Sequence, residues 1–155
     1  MGLDFYVFKL KKGYSDTVRN VINRMNYTEF EACVLAYGRK SWELVHELEC
    51  DTYRDCLTEL TLDSWINLQD KLAPIGPSLE RIRLAYYADD NGNTTPEDKW
   101  FMNQYMKWYD YNFDTNPQLG YGFSVGYMQD FWEKADEVLH YLEDPDWEVW
   151  MIASY

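Results

Sequence analysis

Val125–Leu142 (VGYMQDFWEKADEVLHYL), Glu143–Asp146 (EDPD) and Trp147–Ala153 (WEVWMIA) form the helix, break and strand around which the chain is expected to fold. In the first segment Met128, Phe131, Trp132, Ala135, Val138, Leu139 and Leu142 recur at three- and four-residue steps, the mark of one buried helix face. Pro145 cannot continue that helix, and it biases Asp144 toward an extended backbone. The chain is therefore expected to restart as a strand at Trp147. Trp147, Val149 and Met151 would share one side of that strand and Trp150 and Ile152 the other. A strand apolar on both sides belongs in the interior of a sheet. Trp132 is expected in the core, and Ser124 is the candidate N-cap of the helix.

Working outward, Leu3–Leu10 (LDFYVFKL) alternates and is rich in aromatic and branched residues, which predicts a first strand. Ser15 or Asp16 is a candidate cap for a short helix carrying Val18, Val21, Ile22 and Met25. Phe30–Tyr37 (FEACVLAY) reads as a second strand, followed by a turn at Gly38 and a helix from about Arg39 to Glu49 with Trp42, Val45 and Leu48 buried. A loop through Cys50, Asp51 and Cys56 leads to a helix capped by Thr61 or Asp63. Pro74–Pro77 is a break, and Ser78 is placed to cap the next helix, through Leu79, Ile82, Leu84 and Tyr86. Asp89–Asn93 is a polar turn whose spacing does not match a calcium loop. Thr95, Pro96, Glu97 and Asp98 form a strong helix start for Trp100 through Tyr111. These elements predict one α+β domain over residues 1–155, a small sheet of N-terminal, Phe30 and C-terminal strands covered by about five or six helices.

Composition narrows the function. The 155 residues are 46% hydrophobic and 18% aromatic, against disorder, and no apolar run reaches the roughly 20 residues of a membrane span. Neither a secretory signal nor a myristoylation signal is read at the start, so the expectation is a cytoplasmic chain with no membrane attachment. Three cysteines fit a reducing compartment. Cys50 and Cys56 with His46 do not match a zinc spacing, so no metal and no cofactor is expected. The formal net charge is −13. Basic and acidic residues number five and three over 1–30, seven and fourteen over 31–100, and two and ten over 101–155. Such a field repels nucleic acid and favours a basic partner, although it also serves plain solubility.

Two candidate sites follow. Tyr109, Tyr111, Phe113, Tyr121, Phe123 and Tyr127, rimmed by Asp110, Asp114 and Asp130 and followed by Glu133, Asp136, Glu137 and Glu143, would form an acidic, aromatic partner-binding surface. It could also serve self-association into a homo-oligomer. The alternative is an anion site at Arg39, Lys40 and Ser41, where a helix start and two cations would favour a phosphate or nucleotide, unless Arg39 simply pairs with one of the many acids. His46 and His140 have no recognisable nucleophile or acid partner, so the sequence favours a binding protein over an enzyme and names no catalytic residue.

The opening Met1-Gly2-Leu3-Asp4-Phe5-Tyr6-Val7, the passage Tyr37-Gly38-Arg39-Lys40 with His46 following, and the end Trp147-Glu148 through Ala153-Ser154-Tyr155 resemble a family of small phage and prophage proteins. Those begin Met-Gly-Leu-Asp-Met-Tyr-Leu, carry Tyr-Trp-Arg-Lys before a His-containing helix, and finish near Ala-Ser-Trp. Gly38 and Tyr155 stand where that family has tryptophan. The resemblance implies a phage or prophage origin and work in the host bacterial cytoplasm, with no reaction attached. Together with the acidity it suggests an accessory protein that binds a host or defence-system protein with a basic surface, such as a nucleic-acid-binding defence enzyme that it would inhibit.

Overall fold

Trp147–Ser154 is interior to a sheet, as its two apolar sides require. The computed structural model describes residues 3–53 and 57–154. Its four strands are β1 (Asp4–Lys11), β2 (Val34–Arg39), β3 (Leu57–Glu59) and β4 (Trp147–Ser154), in the order β2-β1-β4-β3. All neighbours are antiparallel, with Phe5 opposite Ala153 and Val7 opposite Met151 in the central pair. The strand period of two sends Phe5, Val7, Val149, Met151 and Ala153 to one face, where each is at most 1% exposed.

Eight helices are present among the described residues: α1 (Val18–Asn23), α2 (Tyr27–Cys33), α3 (Trp42–Glu47), α4 (Leu62–Leu72), α5 (Leu79–Asp90), α6 (Pro96–Asn112), α7 (Tyr121–Glu133) and α8 (Ala135–Glu143). The fold is α+β. Trp65 of α4, Tyr105 and Tyr109 of α6 and Phe131 of α7 are fully buried and continuous with the inner sheet face. None of these helices is long and apolar enough to cross a membrane.

Several expectations are corrected. The single helix expected over residues 125–142 is two, broken at Lys134 between α7 and α8. The halves have different neighbours, since α7 packs on α5 and β2 while α8 packs on α4 and β4, and one straight rod could not cover both. Ser124 does not cap: α7 starts at Tyr121 after Gly120, and Ser124 is buried, bonded to the Tyr105 hydroxyl at 2.6 Å. The Phe30 strand starts only at Val34, because Tyr27–Cys33 is helical. The Asn26 side chain accepts the Glu29 N–H at 2.8 Å, and this cap outweighs the strand preference of the segment. Phe30 then lies over Phe8 with ring centres 5.3 Å apart.

In α1 the cap is Thr17, and Asp16 instead binds Arg24 at 2.7 Å; no residue of this helix is fully buried. The helix expected from Arg39 begins at Trp42, since β2 runs through Arg39 and the Lys40 N–H bonds the Leu3 carbonyl at 2.7 Å. Gly38 lies inside the strand rather than at a turn. A Cβ there would sit 2.6 Å from the Ser41 hydroxyl, so glycine permits this close approach. β3 is a strand that a three-residue segment gives no periodicity to announce. Ser78 occupies the start of α5 without a side-chain cap bond, and Leu84 points outward, 48% exposed. The Thr95 start is as read, with a reciprocal Thr95–Asp98 capping box. Cys56 lies outside the described residues.

Candidate functional site

The aromatic surface does not form as one piece. Tyr109 and Phe113, expected as surface anchors, are core residues at 0% and 8% exposure, because the α6 face that carries Tyr109 packs inward and Phe113, just past the helix, packs against it. Tyr111 is 90% exposed, and the Tyr121 hydroxyl donates to Asp110 at 2.7 Å. Tyr127 contacts the rings of Tyr37 and Phe123. Asp130 accepts the outward N–H of Tyr37 at 3.2 Å and pairs with Lys134, so it closes the edge of β2. Asp114 lies away from these, in a cleft with Glu43, His46, Glu47 and Lys71.

Glu133 belongs to a different arrangement. Where α7 gives way to α8, Trp132, Glu133, Ala135 and Asp136 face Gln69, Asp70 and Ala73 of the α4 end across an open groove. Its ionisable lining groups are all carboxylates. Among the described residues Asp70, Glu133 and Asp136 form no ion pair, whereas the nearby cations are engaged elsewhere: Lys71 binds Glu47 at 2.7 Å and Lys134 binds Asp130 at 3.4 Å. Exposed Glu137 follows Asp136 on α8. Trp132, expected in the core, is only partly buried; its indole rests on Gly76 and its outer side lines the groove. The groove offers an aromatic anchor inside a negative rim, the combination that holds a cationic side chain.

The Arg39 cluster forms a second, narrower cleft. Arg39, Lys40 and Ser41 meet the 117–120 loop and Phe123, Ser124 and Tyr127 of α7. Neither Arg39 nor Lys40 is ion-paired with an acid among the described residues. Ser41 is not the expected anion donor: it is 1% exposed and its hydroxyl donates to the Arg39 carbonyl at 3.3 Å. Glu43, which sequence reasoning missed, lines the same cleft and is 3% exposed, with no cation partner among the described residues. Burial pushes its carboxyl pKa up, opposed by its own backbone N–H and by the Tyr109 hydroxyl. That hydroxyl is itself buried and makes no hydrogen bond of good geometry. A buried carboxyl works against an anion here.

Glu43 yields a pH prediction. Its pKa is raised above 4.5, so the folded chain holds a proton that the unfolded chain has lost, and stability falls as pH rises through the folded value. Glu43→Gln should therefore raise the urea midpoint at pH 8, with the gain closing at pH 4. An equal difference at both pH values would assign the effect to packing instead.

His46 and His140 are exposed on separate helices, against Trp42 and Tyr141, and neither bonds a carboxylate among the described residues. Among those residues no cluster of three metal-ligating side chains occurs. No protein-family model matches the chain, and no curated protein or solved structure matches it significantly.

Proposed function

We propose that this protein is a non-enzymatic accessory protein of the phage type, which binds a basic host protein through the groove of Trp132, Asp70, Glu133 and Asp136, extended by Glu137. The observation that carries this reading is the pairing of an accessible indole with carboxylates that no cation among the described residues neutralises. The formal charge of −13 supports it by steering a positive surface to any face of the molecule. The resemblance of the chain ends to phage proteins supports a partner in the host bacterial cytoplasm. A nucleic-acid-binding defence enzyme fits, because acids set where phosphates would lie block its basic channel and inhibit it.

Reversing charge at the rim while leaving the core untouched tests the reading. Glu133 and Glu137 are exposed, so the double variant Glu133→Lys, Glu137→Lys should fold as the parent does. Its affinity for the captured partner should drop by about tenfold or more, chiefly through slower association. Unchanged affinity removes the groove from the interface.

That Arg39 and Lys40 have no ion-pair partner among the described residues favours a second reading, a phosphate- or nucleotide-binding protein or enzyme with its anion site in the cleft beside α7. It requires Arg39→Ala to lower nucleotide affinity specifically, with the melting temperature unchanged.

A further inference from the structure

The second face of the sheet holds an aromatic cluster that the groove does not use. On this face Phe8 and Leu10 are buried, whereas Trp150 opposite Phe8, and Asp4, Tyr6 and Ile152 toward the other end, are only partly covered. Tyr6 of β1 and Tyr37 of β2 are register partners, with ring centres 5.0 Å apart and planes tilted by 35°. Phe30 of α2 meets Tyr6 edge-on at 5.5 Å. Tyr27, one helical turn before Phe30 and 77% exposed, completes a cleft closed by Glu31 and Val34. Three phenol rings and one phenyl ring thus line a concave site with a carboxylate at its edge.

The electrostatics of this cleft are one-sided. The Tyr37 hydroxyl donates to Asp4 at 2.6 Å, and a phenol bonded to a carboxylate has a more electron-rich ring face. Of the cations on the adjoining strands, Lys9 sits on the opposite face, 4.3 Å from the centre of the Tyr141 ring and donating to its hydroxyl at 2.7 Å, and Arg39, the register partner of Asp4, lines the cleft against α7. Elsewhere the chain seats its own cations on its rings, as with Lys9 at 5.3 Å from the Trp147 ring centre and Arg81 at 4.7 Å from that of Phe101. No lysine or arginine among the described residues sits over Tyr6, Tyr27, Phe30 or Tyr37.

We infer that Tyr6, Tyr27, Phe30 and Tyr37, with Asp4 and Glu31 beside them, form a cage for a weakly hydrated organic cation, an alkylammonium or guanidinium group. Aromatic faces attract such a cation, and flanking carboxylates supply the counter-charge. The site stands on residues separate from the Trp132 groove and does not depend on that proposal.

Titration of the full chain with choline and with its uncharged isostere 3,3-dimethylbutan-1-ol, followed by NMR of the tyrosine rings and ligand methyl protons, tests the inference. Choline should shift Tyr6, Tyr27 and Tyr37 signals and have its methyl protons moved upfield, with the neutral alcohol about tenfold weaker or worse. Tyr27→Leu, at an exposed position, should weaken choline several-fold; Tyr6→Phe, which keeps the ring, should retain it. A parallel titration with an arginine-containing peptide distinguishes a cation on a partner's side chain from a free one, by whichever binds more tightly. Equal binding of the alcohol, indifference to Tyr27→Leu, or no cation binding at tens of millimolar would overturn the cage.

Discussion

Trp65→Ala is expected to cost about 3–5 kcal/mol, which for a chain of 155 residues lowers the melting temperature by roughly 6 to 20 °C. Trp65 is 0% exposed, its ring centre lies 6.0 Å from that of Phe131, and its indole N–H donates to the Ala135 carbonyl at 3.1 Å. Truncation therefore leaves a cavity between α4 and α7 and removes the bond that ties α4 to the first residue of α8. Trp65→Phe separates these two effects. It keeps most of the volume and loses only the hydrogen bond, so its cost should stay near 1 kcal/mol. Urea melts of the three proteins decide the matter. A Trp65→Ala midpoint within error of the parent would mean that this core is not packed as described.

Gly76→Ala is expected to cost about 1–3 kcal/mol by overpacking, although it adds one methyl group at a short 3₁₀ turn. A Cβ at Gly76 would sit 2.3 Å from Cε2 of Trp132 and 2.4 Å from Cδ2. The obstacle is the body of an indole rather than the tip of a flexible chain, so the ring must move outward, into the groove that it lines. Tryptophan emission should shift to the red as that ring gains water. On the proposed reading, partner binding should weaken in step, because the displaced ring fills the groove. Stability equal to the parent with unshifted emission would contradict this placement of Trp132.

Elements with strong local signals were legible from the amino acids: the β1 alternation, the two-sided β4, and the Thr95–Asp98 start of α6. Those decided by what lies across from them were less so. Phe30 sits in a run that suits a strand, and only the Asn26 cap and the need to cover Phe8 make it helical. The periodicity of 125–142 continues through Lys134, yet the chain bends there because α7 and α8 have different neighbours. β3 was silent, being three residues long and defined by pairing with β4.

The site was read in part. Glu133, Glu137 and the acidic trend of the C-terminal third stand out in the sequence, but Asp70 is some sixty residues away and joins them only through the packing of α4 beside α7 and α8. Tyr109 and Tyr111 look alike as letters, and two residues along α6 separate 0% from 90% exposure. Glu43 lies off the Trp42–Val45–Leu48 stripe, so no pattern marks it as buried. The Tyr6–Tyr37 cluster was invisible once Phe30 was read as strand.

If the groove at Trp132 binds a basic partner, as proposed, capture of the tagged protein from bacterial lysate at about 0.05 and 1 M salt will reveal it, with the Glu133→Lys, Glu137→Lys variant alongside. Screening shrinks to about 3 Å at 1 M, so one dominant basic protein should be retained at low salt, released at high salt and weakly held by the variant. A protein retained equally under all three conditions, or no protein at all with a co-purified nucleotide in its place, would contradict the groove and turn attention to Arg39 and Lys40.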